Sequence, residues 1–106
     1  MKLKGFADGT FLVRFSTANA GFFALSVAYS GMVGHWRIQS FKEPGKPLRY
    51  LFDEKEFASL GDIVHNYSRH GNAEPLKIKQ PKPGQPDTCL LADPYNRAEQ
   101  YYQNIH

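Results

Sequence analysis

Short segments in the first part of the chain either alternate apolar with polar residues or are continuously apolar and aromatic, and both patterns are typical of β-strands. These segments predict strands over Thr10–Ser16, Phe22–Tyr29 and Val33–Phe41. Short segments of small or polar residues separate these strands, so we expect an antiparallel meander. A fourth, shorter strand is predicted near Leu48–Phe52, after a loop that contains two prolines and a glycine.

The hydrophobic period becomes that of an amphipathic helix later in the chain. Apolar residues fall at positions i, i+3, i+4 and i+7, namely Leu60, Ile63, Val64 and Tyr67. We predict a helix over Ser59–His70 that begins with a capping box formed by Ser59 and Asp62. Gly71 is well placed for a left-handed cap at its C-terminal end.

The elements predict an α+β fold with a central antiparallel β-sheet flanked by one α-helix. Leu76–Lys79 is expected to form a last short strand. Three prolines and a glycine interrupt regular structure over Gln80–Asp87. We therefore place a domain at residues 1–80 and a flexible tail, which contains tyrosines, at residues 81–106.

Composition narrows the class of protein. A chain of 106 residues forms a single domain, and a net charge of +3 favours acidic partners. A lone cysteine, Cys89, makes no internal disulfide, which favours a reducing, cytoplasmic setting. The sequence offers no apolar span for a membrane helix, no metal-ligand spacing and no catalytic motif, so we expect no cofactor, no metal and no enzyme activity.

An arginine, Arg14, stands in the first strand between apolar neighbours, and we expect its guanidinium to lie in a desolvated environment. Such a group needs an anionic partner, because an unpaired buried charge costs several kcal/mol. One alternative is an internal salt bridge to a carboxylate brought close by the fold. The other is an external anion such as a phosphate, which a guanidinium fork binds through two parallel hydrogen bonds. His35 and Arg37 share a face that could lie beside Arg14, and the pattern alone leaves both alternatives open.

Four stretches, in order, resemble the Src-homology-2 (SH2) domain, a phosphotyrosine-binding module. They are "GTFLVRFS", "GFFALSV", "GHWRI" and "FASLGDIVHNYSRHG", and the resemblance runs from about Gly9 to Leu76. It implies a non-catalytic module that binds phosphotyrosine-containing proteins or peptides in tyrosine-kinase signalling.

The resemblance also assigns roles to individual residues. Arg14 matches the arginine that grips the phosphate, and Ala24 matches the small residue that lies against the phosphotyrosine ring. His35 and Arg37 match the histidine and the basic residue of the third strand. The serine and loop positions that supply hydroxyl and amide donors match Ser16, Thr17, Ala18 and Asn19.

A second, mostly apolar pocket reads the peptide sequence in this family. Trp36 matches the aromatic position that separates the two pockets, and Ile63 and Tyr67 resemble wall residues of the second one.

The chain departs from the family pattern in places. The family begins with a helix that carries another phosphate-binding arginine, whereas eight residues precede Gly9 here. We therefore expect that first helix to be missing or shortened, with Lys2 and Lys4 as positive charges nearby. Phe15 stands where glutamate is common.

Three other interpretations accompany the phosphotyrosine hypothesis. The chain could be a degenerate module with weak or no phosphotyrosine affinity. It could instead bind single-stranded nucleic acid, with bases stacked on aromatic rings of the sheet; the rings concerned are Phe22, Phe23, Tyr29 and Trp36. Finally, Tyr102 is a candidate phosphorylation site because Asn104 follows two residues later, although an unmodified surface tyrosine is the favoured interpretation.

Overall fold

The computed structural model describes residues 6–16 and 20–95. Its main feature is a five-stranded sheet in which each strand pairs antiparallel with the next, in the order β1-β2-β3-β4-β5. The strands are β1 (Phe11–Phe15), β2 (Phe22–Tyr29), β3 (Met32–Phe41), β4 (Arg49–Phe52) and β5 (Lys55–Phe57). The predicted meander and α+β class are confirmed; β5 is an additional strand that the pattern did not indicate.

One helix, α1 (Leu60–Tyr67), packs on one face of this sheet. The Ser59 side chain caps its start by accepting a hydrogen bond from the Asp62 amide at 3.0 Å, as the capping motif predicted. The apolar face of the helix packs into the core as predicted, since the side chains of Ile63 and Tyr67 are only 1% and 0% exposed.

The predicted end of the helix is wrong. Helical structure stops at Tyr67 rather than His70, and the cap residue is Ser68 in an extended conformation. Gly71 does not adopt the left-handed conformation. Glycine is required there for a different reason: a Cβ at Gly71 would overlap the carbonyl oxygen of His65. The chain folds back so tightly on the last turn that no side chain fits there.

The packing of the C-terminal part corrects the predicted domain boundary at residue 80. Strand β6 (Leu76–Lys77) pairs antiparallel with β7 (Thr88–Cys89), which lies beyond the proline-rich loop. Leu91 is completely buried in the main core and Tyr95 is 7% exposed. The folded unit therefore continues through residue 95, because burial of such side chains stabilises the domain.

The sheet separates a large hydrophobic cluster from a small one. The large cluster lies between the sheet, α1 and the β6–β7 segment, and includes Leu25, Ile38 and Phe52. On the other face, Leu12, Ala28 and Tyr95 form the small cluster. Within residues 6–16 and 20–95, no helix has the length and apolarity needed to cross a membrane.

Candidate functional site

Strand register brings three of the predicted phosphotyrosine-binding residues into one row across the sheet. Arg14 pairs with Ala24 across the β1–β2 ladder, and Ala24 pairs with Arg37 across the β2–β3 ladder. Residues directly opposite each other in antiparallel strands point to the same face. The two arginines therefore flank the methyl group of Ala24, and the expectation that Arg37 lies beside the Arg14 face is confirmed.

His35 lies in the neighbouring row, where Leu12 pairs with Ser26 and Ser26 with His35. The Ser26 hydroxyl and His35 Nδ1 share a hydrogen bond of 2.8 Å. Ser26 is fully buried, so this bond satisfies a polar group that has lost contact with water. It also fixes the orientation of the imidazole beside the arginine row.

A shallow groove of about 500 Å³ lies along this part of the sheet. The predicted residues Ser16, Ala24, His35 and Arg37 line it. Arg37 is held in place by Phe22, whose ring centroid lies 5.0 Å from the guanidinium carbon, a cation–π contact. Arg14 is in the row that continues the groove towards β1 but is not among the residues that line it.

The environment of Arg14 differs from the expected desolvated one. Arg14 is exposed, because strand alternation points it away from the core that Val13 enters. Its guanidinium therefore stays hydrated, and the folded chain needs no anionic partner to offset the desolvation of a buried charge. Nor does an internal ion pair occupy it within the described part of the chain, where the salt bridges join Lys46 to Glu43, Arg49 to Glu56 and Lys55 to Glu74. Arg14 is an accessible cation beside a groove.

Of the three residues expected to read the peptide sequence, Ile63 and Tyr67 lie in the core, whereas Trp36 packs in the core and also lines the groove. Trp36 is 8% exposed and its indole nitrogen donates a hydrogen bond to the Lys77 carbonyl at 3.1 Å. Ile63 is buried under the sheet. The Tyr67 hydroxyl donates to an Asp53 carboxylate oxygen at 2.9 Å, and burial together with Asp53 raises the pKa of Tyr67 far above its ordinary value. Ile63 and Tyr67 leave no side-chain surface for a peptide, so we do not assign them contacts with one.

Several predicted residues fall outside the described ranges. Thr17, Ala18 and Asn19 belong to residues 17–19, and Tyr102 to residues 96–106. Their predicted roles stay predictions.

Sequence reasoning missed one cationic residue of the groove, Lys79. The signal was present, because Leu76 and Ile78 are buried while Lys77 and Lys79 are exposed, a strand-like alternation. What the alternation could not show is that this segment lies against β3, which is far away in the sequence.

The aromatic rings proposed for base stacking differ in their surroundings. Phe22 lies against Arg37, whereas Phe23, the next residue of β2, contacts Phe15 at a ring-centroid distance of 4.8 Å. Phe22, Phe23 and Trp36 all line the groove, and Trp36 also contacts Tyr29 in the core. The nucleic-acid alternative stays an untested prediction.

An antiparallel sheet with a helix packed on one face, together with a groove lined by cations, is typical of modules that recognise phosphopeptides through arginines. A model of the SH2 domain family matches residues 1–67, and this chain belongs to that family. SH2 domains are non-catalytic modules that bind phosphotyrosine peptides in signal transduction. The recognition made from the sequence motifs is confirmed.

Similar proteins include signalling enzymes of Drosophila melanogaster. The chain is 34% identical over 89 residues to tyrosine-protein kinase Abl, covering 80% of this chain and 5% of that protein. It is 35% identical over 79 residues to tyrosine-protein phosphatase corkscrew, covering 70% and 9%. It is 33% identical over 82 residues to tyrosine-protein kinase Shark, covering 74% and 8%. The chain therefore spans less than a tenth of the length of each of these three relatives.

Proposed function

We propose that this chain binds phosphotyrosine-containing peptides of partner proteins through the groove between Arg14 and Arg37. The observation that carries the proposal is the cross-strand row of Arg14, Ala24 and Arg37. It sets two guanidinium groups on either side of a small apolar residue, on an exposed face of the sheet.

The dimensions of the row suit a phosphorylated aromatic ring. Neighbouring strands lie about 4.8 Å apart, so the backbones of Arg14 and Arg37 are separated by roughly 10 Å. A phenyl ring fits in that interval, against the Ala24 methyl. The phosphate carries about −1.5 to −2 charges at neutral pH. Guanidinium groups on two sides can then donate several charge-assisted hydrogen bonds to it.

Other residues complete the proposed site. Ser16 lines the groove, and the imidazole of His35 is oriented by its hydrogen bond with Ser26. Hydroxyl and amide donors of Thr17 and Asn19 are assigned to the phosphate by family resemblance alone. In this proposal the chain acts without catalysis, as a docking module in cytoplasmic tyrosine-kinase signalling.

The proposal predicts that Arg14→Lys abolishes most of the affinity while leaving the fold intact. Lysine keeps the charge and most of the stem but cannot form the two parallel hydrogen bonds of a guanidinium. Hydrogen bonds to charged groups contribute about 1.5–3 kcal/mol, so the dissociation constant should rise by roughly 10- to 100-fold. Arg37→Ala should weaken binding less. Both effects are measured by isothermal titration calorimetry with a phosphotyrosine peptide that has been selected from a peptide library for binding to the wild-type chain.

Two controls make this experiment decisive. The unphosphorylated form of the same peptide should not bind measurably. Arg49→Lys replaces an arginine of β4 that lies outside the groove, and it should leave the dissociation constant unchanged. An equal dissociation constant for wild type and Arg14→Lys would contradict the proposed role of Arg14. If no phosphopeptide binds the wild-type chain, the chain is a folded module without this ligand affinity.

A further inference from the structure

Lys79 brings a positive charge into the groove from outside the five-stranded sheet. It lines the groove together with His35 and Arg37, although more than forty positions separate it from each of these two residues in the sequence. It is exposed, and among the described residues it takes part in none of the ion pairs. A groove-lining cation that forms no ion pair within the described ranges is available to a ligand.

Buried side chains and backbone hydrogen bonds hold the segment before Lys79 in place. Leu76 and Ile78 are buried in the main core, at 1% and 7% exposure. The Lys77 carbonyl accepts the hydrogen bond from Trp36, and the Ile78 amide donates to the Asp87 carbonyl at 2.8 Å. Because these contacts fix the backbone, Lys79 is directed to one place even though its own side chain is long and flexible.

The sheet topology separates Lys79 from the phosphate end of the groove. Strand β3 pairs with β2 from Met32 to Gln39, but with β4 only over Gln39–Phe41. The other edge of β3 near His35 and Arg37 carries no strand in the described part of the chain. The anchored segment lies at this open edge, where Trp36 reaches the Lys77 carbonyl. Lys79 is thus on the far side of Arg37 from Arg14.

The described residues that line the groove include cations but no carboxylate. Its lining residues within the described ranges include Arg37 and Lys79 but no aspartate or glutamate. A peptide whose phosphate lies between Arg14 and Arg37 would place an adjacent residue at the open edge of β3, next to Lys79. An acidic side chain at that point would meet an unpaired ammonium group, whereas a basic one would be repelled.

We propose that Lys79 selects phosphotyrosine peptides that carry a glutamate or aspartate close to the phosphotyrosine. This inference rests on the proposed function, because it concerns the same groove. Arg14 and Arg37 distinguish phosphotyrosine from tyrosine, and Lys79 distinguishes one phosphopeptide from another.

The experiment compares peptides that differ by one charge. Each of a set of phosphopeptides carries a single Glu at one position, within three residues on either side of the phosphotyrosine, and is paired with its Gln counterpart. Dissociation constants are measured by fluorescence anisotropy for the wild-type chain, Lys79→Glu and the control Lys77→Glu. Lys77 is an exposed neighbour of the same charge that does not line the groove.

For at least one position we expect wild type to bind the Glu peptide about two- to fivefold more tightly than the Gln peptide, the range of an exposed ion pair. Lys79→Glu should reverse this preference, and Lys77→Glu should retain it. Raising the salt concentration to 1 M should reduce the preference, because the Debye length then falls to about 3 Å.

Two results would overturn the inference and leave the proposed function standing. One is the same Glu-to-Gln ratio in wild type and Lys79→Glu at every position. The other is an equal loss of affinity for both peptides in Lys79→Glu, which would place Lys79 on the phosphate. In either case phosphorylated peptides would still bind more tightly than unphosphorylated ones. Absence of phosphopeptide binding by the wild-type chain would overturn both proposals together.

Discussion

Cys89 shows how the fold changes the chemistry of a single side chain. It lies partly buried in β7, and desolvation together with the nearby Asp8 carboxylate raises the pKa of its thiol from 9.0 to about 11. Both effects disfavour the negatively charged thiolate. Because the thiolate is the reactive form, the lone cysteine of this chain is kept inert by its surroundings.

We therefore predict slow alkylation of Cys89 in the folded chain. At pH 8 the thiolate population should be about a hundredfold lower than for a thiol of pKa 9.0. Iodoacetamide labelling, followed by mass spectrometry, should be slower by a similar factor in buffer than in 8 M urea. Because the thiol pKa is higher in the folded chain than in the unfolded one, Cys89 also affects the free energy of unfolding. Its contribution is fully present below pH 9 and is lost as the pH rises from 9 towards 11. Equal labelling rates for folded and unfolded chains would contradict the assigned environment.

At the scale of elements, the two glycines of the α1 region serve different purposes. Gly61 lies within the helix, and a Cβ there would come no closer than 3.7 Å to the Ser59 hydroxyl. Gly71 packs against the end of the helix, where the Asn72 amide donates a hydrogen bond to the His65 carbonyl at 3.0 Å. A Cβ at Gly71 would overlap that same carbonyl oxygen.

These environments predict opposite effects of the same substitution. Gly61→Ala should raise the free energy of unfolding by about 0.5–1 kcal/mol, because alanine loses less backbone entropy in a helix. Gly71→Ala should lower it by roughly 1–3 kcal/mol, the usual cost of forcing extra atoms into a packed region. Urea titration monitored by circular dichroism measures both. If Gly71→Ala were as stable as wild type, the backbone near His65 would have to move away from the added Cβ without a loss of free energy of unfolding, which would contradict the prediction.

At the scale of the whole molecule, the segment after the proline-rich loop closes the hydrophobic core. The Leu91 amide donates to the Tyr67 carbonyl and the Arg69 amide to the Leu91 carbonyl, both at 2.9 Å. These bonds join the C-terminal segment to the end of α1, and the Leu91 side chain enters the main core. The same segment holds β6 through β7, and β6 leads directly to Lys79. The proposed binding groove and the core are therefore coupled through one segment.

This coupling predicts a large effect of Leu91→Ala on stability. Truncating a fully buried leucine costs about 2–5 kcal/mol, a large share of the 5–15 kcal/mol that stabilises a typical domain. The matched control is Leu48→Ala, since Leu48 is 46% exposed. That change should cost no more than about 0.5 kcal/mol. Thermal or urea unfolding measures the free energy of unfolding of both variants. Similar losses for Leu91→Ala and Leu48→Ala would support a domain that ends at residue 80.

The sequence by itself determined the local features of this protein. A run of apolar and aromatic residues identified β2 at its observed bounds, and a helical period with Ser59 ahead of it located the start of α1. A two-residue period placed Arg14 on the face opposite Val13, and the motifs identified the SH2 family before any contact was known. These features depend on neighbouring residues, whose relative directions are set by backbone geometry.

Only the tertiary structure decided which distant segments meet. It showed that Arg14 is exposed rather than desolvated, that Leu91 belongs to the core, and that Lys79 reaches the groove from beyond β3. It also showed that the side chains of Ile63 and Tyr67 are buried and so do not belong to the surface on which a peptide could lie. Burial and proximity across tens of residues depend on how the sheet, helix and C-terminal segment pack together. No local period along the chain carries that information.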